Sequence, residues 1–251
     1  MGLFGMSESE AISSLQELSF FAGGDLPDRH KMLKMITKIE KRSPNTKSFE
    51  LEYWLAIVTR NYSAWYVRGD ERKSYLETVI AHLTNAYNLS KDNPTYKLPR
   101  GTYLQKICPD KLDDHALIAM ELGKLLIDEA IIRDVQTGIA ILDPIFESTV
   151  DYHPEYCSYA DAFFKLGDYE RCAAVALDLE RRAKMSAEWN EVPPAVYTLI
   201  AKAYRAQAKK QKKNKEYELA FDSLRYLVDR GLATDNDRKI YENLLKQVSA
   251  E

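Results

Sequence analysis

The sequence predicts an all-α chain built from antiparallel helix pairs, and three observations carry that prediction. Glycine and proline number only 10 and 9 in 251 residues and cluster at a few points. The intervals between them are rich in Ala, Leu, Glu, Lys and Tyr, residues for which helix is the default. Apolar residues in those intervals recur at three-and-four spacing, and no segment shows the alternation or β-branched runs of a strand.

The first pair is expected at about 49–90. Leu51, Trp54, Leu55, Val58, Tyr62 and Trp65 mark one helical face, Gly69-Asp70 punctuates, and Tyr75, Leu76, Val79, Ile80, Leu83 and Ala86 resume the pattern. So short a link makes the two helices antiparallel neighbours. The second pair, 113–147, opens at Asp113 or Asp114, either of which can cap the free amides of a helix through Met120 and Leu126. Its partner runs from Val135, with Pro144 expected to kink it or end it early. The third pair, 154–184, turns at Gly167-Asp168. The fourth, 194–229, starts on Pro193-Pro194, two residues suited to a helix start, runs to about Ala208, and resumes at Tyr217. A last helix, 235–248, capped by Asp235, carries Ile240, Leu244 and Val248 on one face and suits the end of a stacked array. Residues 1–45 read as a separate N-terminal segment or cap, with Met32, Met35, Ile36 and Ile39 on one face of a short helix and a helix end suggested around Leu18 to Gly24.

Composition narrows the function classes. With 35 basic and 38 acidic residues the formal charge is -3, so no global field draws the chain to nucleic acid or an anionic membrane. Cys108, Cys157 and Cys172 are odd in number and lack any C-x-x-C pair, which fits a reducing compartment. No apolar run approaches the roughly 20 residues of a membrane-spanning helix, and no signal-peptide pattern occupies Met1 to Phe21. A cytoplasmic chain is the expectation. Catalytic signatures are missing: no phosphate-binding glycine loop, no nucleophile elbow, no paired histidines at metal-ligand spacing. His153 and Cys157, four apart, would form a zinc site only if Cys172 converged on them. Glu50/Glu52 and Asp113/Asp114 read as surface or capping acids. No cofactor is expected, and the chain is not expected to be an enzyme.

The passage Tyr159 to Cys172, with Tyr159, Ala160 and Phe163 ahead of the Gly167-Asp168-Tyr169 turn, resembles the middle of a tetratricopeptide repeat. Tyr169, Cys172, Ala176 and Leu179 follow the intervals of that family's second helix. Ile200, Ala201 and Tyr204, then Tyr217, Ala220, Leu224 and Leu227, repeat both patterns. So do Leu122, Gly123 and Leu126, then Val135, Gly138, Leu142 and Ile145. Val135 to Tyr169 is 34 residues, the family period, whereas Tyr169 to Tyr217 is 48, with about two extra helical turns inserted after Tyr204. The resemblance covers residues 113 to 230 well and 49 to 94 loosely. It implies a right-handed superhelical array, an α-solenoid of four pairs and a capping helix over 49–250. The competing reading is an irregular helical domain.

In such arrays the first helices of successive pairs line a concave surface that holds peptides or partner helices. Projecting the family frame places Arg60, Lys124, Asp161, Phe164, Lys165, Lys202 and Arg205 in that groove. Lys202 and Arg205, three apart, share a helix face, and basic groups beside an exposed aromatic suit an acidic peptide or a terminal carboxylate. Members of the family that clamp a terminal carboxylate also use groove asparagines, and none stands at the matching positions. The expected function is a non-catalytic scaffold or adaptor for a protein or peptide, with self-association through an uncapped end as a further mode. The alternative is a nucleic-acid-binding repeat protein using the groove cations and the tract Lys209 to Lys215, otherwise read as a solvated helix end and turn. The proline- and tyrosine-bearing connector 91–112 reads either as a lid over the groove or as a surface link packed through its tyrosines.

Overall fold

The computed structural model describes residues 6–19, 26–41, 48–92, 95, 97, 98, 112–186, 189 and 191–248. These form eleven helices and, among the described residues, no strand: α1 (Glu8–Ser19), α2 (Arg29–Glu40), α3 (Phe49–Tyr66), α4 (Glu71–Ser90), α5 (Asp114–Asp128), α6 (Val135–Ser148), α7 (Tyr156–Lys165), α8 (Tyr169–Met185), α9 (Pro194–Lys213), α10 (Tyr217–Asp229) and α11 (Asp235–Val248). No described helix is long and apolar enough to cross a membrane. The chain divides into two compact units, Met1–Ile145 and Phe146–Glu251. In the first unit α1 and α2 share a core with α3: Leu15, Met32, Ile36 and Ile39 pack with Leu51, Leu55 and Val58.

In the first unit α3 pairs with α4, and α4 packs on α5 through Leu76, Val79, Leu83, Leu122 and Leu126. Two acids expected at the surface are buried. Glu52 Oε2 is hydrogen-bonded to His82 Nδ1 at 2.6 Å, cross-linking α3 to α4 inside the core. Asp114 is fully enclosed, its carboxylate accepting from the Thr95 hydroxyl at 2.7 Å and from the amides of Lys97 and Leu98 at 2.8 and 3.0 Å. Desolvated carboxylates persist only with such partners. The capping role falls to Asp113, which accepts from the Ala116 amide at 2.8 Å. Most of the 91–112 connector, with Tyr96, Arg100 and Tyr103, lies outside the described residues, as do Cys108 and the glycines after Phe21.

The α5–α6 contact explains two glycines. A Cβ on Gly123 would meet Leu142 Cγ at 2.5 Å, and one on Gly138 would meet Ile127 Cγ1 at 2.6 Å and the Gly123 carbonyl oxygen at 2.9 Å. Only hydrogen in place of a side chain allows this approach. α6 does not end early: it continues through Pro144 to Ser148. Pro144 and Ala140, whose carbonyl loses its usual donor, both lie on the exposed face, so the lost bond leaves no buried carbonyl unsatisfied.

In the second unit α7 pairs with α8, α8 packs on α9, α9 on α10, and α10 on α11. Gly167, at φ +79°, ends α7 in the left-handed conformation open to glycine, and Asp168 then caps α8 by accepting from the Arg171 amide at 3.0 Å. Arg182 is buried across the end of α6, donating to Asp178 at 2.6 Å and to the carbonyls of Thr149 and Phe146 at 2.7 and 3.2 Å, with its guanidinium 4.0 Å from the Phe146 ring. Arg230 joins α10 to α8 through Glu180, which also accepts from Lys184 at 2.6 Å. α11 is capped one residue earlier than expected. Thr234 Oγ1 accepts from the Asp237 amide at 3.2 Å while Asp237 Oδ2 accepts from the Thr234 amide at 2.8 Å, a reciprocal capping box.

Candidate functional site

α7 and α9 place four of the predicted groove residues together. Asp161, Phe164 and Lys165 stand on successive turns of α7, because three- and four-residue steps keep a common face. Lys202 reaches them from α9: its Nζ donates to Asp161 Oδ1 at 2.6 Å and lies 3.9 Å from the centre of the Phe164 ring. Lys165 approaches the other Asp161 oxygen at 3.3 Å. Burial pushes the Asp161 carboxyl up, but hydrogen bonds and charge from Lys202 and Lys165 outweigh that and hold it below the usual carboxylate range. Arg205, one turn along α9, donates to Asp237 at 2.7 Å and to the Leu232 carbonyl at 2.9 Å. The groove expected to be basic is therefore largely neutralised at this end, since Lys165 and Lys202 share one carboxylate and Arg205 is held by another.

Beside this cluster opens a cleft of about 800 Å³, with Phe164 and Tyr169 on one side and Thr198, Lys202, Ala206 and Lys209 along α9. The two aromatic rings lie 5.1 Å apart at 49°, so each presents part of a face and part of an edge. The cleft continues to Lys210 and Lys213. The structure thus changes the reading of the lysine tract: α9 runs to Lys213 rather than stopping near Ala208, and Lys209, Lys210 and Lys213 fall on the same helical stripe as Lys202 and Ala206. Reading the three-and-four spacing onward from Lys202 would have joined tract and groove; the lysine run instead looked like a helix end.

Arg60 and Lys124 belong to the first unit. Arg60 on α3 donates to Glu121 on α5 at 2.7 Å, and Lys124 is half-buried on α5. His153, Cys157 and Cys172 do not gather, and no three potential ligands cluster for a metal among the described residues. Burial pushes the Cys172 thiol up to about 11, leaving it a neutral packing group at neutral pH.

Fold and cleft define an all-helical protein of paired helices with an amphipathic cleft in its second unit. No family model, curated protein or solved structure matches the chain.

Proposed function

We propose that the chain is a non-catalytic interaction protein of tetratricopeptide-like type. In this reading its helix pairs stack as a right-handed α-solenoid closed by α11, and the first-helix face holds a segment of a protein partner. The observation that carries the reading is the open cleft flanked by Phe164 and Tyr169 and walled by α9, because it combines part-exposed aromatic surface with charged side chains already fixed in place. Rigid aromatic area gives contact without much ordering cost, and fixed charges give direction. The close helix approach at Gly123 and Gly138 supports the repeat-like packing.

Charge reversal at Lys202 or Arg205 would break the Asp161 and Asp237 pairs and confuse binding with folding. The cleaner perturbation fills the cleft: Thr198→Trp and Ala206→Trp alter neither ion pair. Affinity capture from native lysate, with and without nuclease, is expected to retain a protein partner with the intact chain and lose it with the filled cleft. Capture abolished by nuclease would replace this reading with the nucleic-acid one, and capture indifferent to the cleft would overturn the site.

A further inference from the structure

α9 is the longest helix of the second unit and twice the length of α7, with 20 residues against 10. Its last two turns carry Lys209, Lys210 and Lys213, all exposed and without an acidic partner among the described residues, in contrast to Lys202 and Arg205 on the preceding turns. The stripe therefore changes character along its length. At the Lys202 end the charges are satisfied and the accessible surface is Phe164 and Tyr169; at the Lys213 end the charges are free. From Lys202 to Lys213 the helix advances about 17 Å, which an extended chain covers in about five residues.

We propose that the α7–α9 cleft binds a short, extended, acidic protein segment, one large apolar side chain seated against Phe164 and Tyr169 and two or more carboxylates, within about five residues of it in sequence, on Lys209, Lys210 and Lys213. This assignment rests on the interaction-protein reading and adds the partner's chemistry and spacing. Two features favour an acidic peptide over a nucleic acid. The free positive charge is short and bounded, because Asp168, Glu170 and Glu216 line the adjoining depression that Lys210 shares, and a phosphate backbone running on past the stripe would meet them. The Phe164 ring already carries Lys202 against its face and Tyr169 beside it, leaving a niche for a single apolar side chain rather than a platform for successive bases.

The test is selection from a random heptapeptide display library on the full chain, followed by titration of the enriched peptides in 50 mM and 300 mM salt. The selected peptides are expected to share one large apolar residue with acids clustered on one side of it, within about five residues. A Lys209→Gln, Lys210→Gln, Lys213→Gln variant, whose exposed substitutions leave the helix pairing intact, is expected to bind them roughly tenfold or more weakly, the combined effect of three solvent-screened charge contacts. Ala206→Trp should abolish binding while preserving helicity. Enrichment of peptides without acids, or binding unmoved by the triple variant, overturns the acidic assignment and leaves peptide binding standing. No enrichment on the intact chain overturns the interaction-protein reading as well. Tighter binding of a 15-nucleotide single-stranded RNA than of any selected peptide overturns the choice of partner.

Discussion

Gly138→Ala tests the packing of α5 on α6 with a single methyl group. In a helix interior alanine is favoured over glycine by about 1 kcal/mol, so propensity alone predicts a more stable protein. The geometry predicts the reverse. The added Cβ would sit 2.6 Å from Ile127 Cγ1 and 2.9 Å from the backbone oxygen of Gly123, where ordinary contact begins near 3.4 Å. Ile127 is 1% exposed and enclosed by protein, and the carbonyl belongs to the facing helix itself. Relief requires the two helices to separate, an overpacking cost toward the upper end of about 1–3 kcal/mol, which leaves a net loss of about 1–2 kcal/mol. For a unit of this size that corresponds to a fall in Tm of roughly 3–8 °C. Gly123→Ala meets the Leu142 side chain first, from 2.5 Å, with no backbone atom among its three nearest neighbours, and should cost less. Urea unfolding followed by circular dichroism measures both. A Gly138→Ala protein as stable as the parent, or more so, would refute the close approach.

Asp114→Ala removes the acceptor of the Thr95 hydroxyl and the Lys97 and Leu98 amides, and is expected to cost about 3 kcal/mol in urea unfolding. Hydrogen exchange at Lys97 and Leu98 should quicken, and unchanged protection there would contradict the latch. Arg182→Met leaves the Phe146 and Thr149 carbonyls without their donor and should lose about 2–3 kcal/mol, read as a lower Tm. Asp161, Asp178, Glu180 and Asp237 all titrate below the ordinary carboxylate range when folded. For depressed groups the stabilisation is present above the unfolded value, about 4, and is lost as pH falls through the folded value. Calorimetric scans should therefore show Tm falling steeply below about pH 4, and Glu180→Gln should lower Tm at pH 7 while flattening that fall; a profile level from pH 6 to pH 3 would contradict it.

The helices were legible because each buries a face whose residues are close in sequence, and the start of α5 was legible because Asp113 caps within three residues of itself. The buried acids were not. Glu52 meets His82 across 30 positions, and Asp114 meets Thr95 across 19, so nothing local separates these carboxylates from solvated ones. The end of α11 nearest Thr234 was misplaced by one residue because its signal is a reciprocal pair, Thr234 with Asp237, rather than a lone aspartate. At the candidate site, Asp161, Phe164, Lys165 and Lys202 lie together, and their neutralisation depends on one carboxylate serving two amines, which helix phase alone does not report. The free charge lay farther along α9, where the lysine run concealed the continuing helical stripe.

The interaction-protein account is tested most directly by a photo-crosslinking residue placed at Thr198, an exposed position on the cleft wall, with the crosslinked peptide mapped by mass spectrometry after nuclease treatment. The account predicts a protein segment joined at Thr198, absent when Ala206→Trp fills the cleft, and none joined from a control position at Asp222 on α10. Equal labelling from Thr198 and Asp222, or labelling that survives the filled cleft, would contradict it.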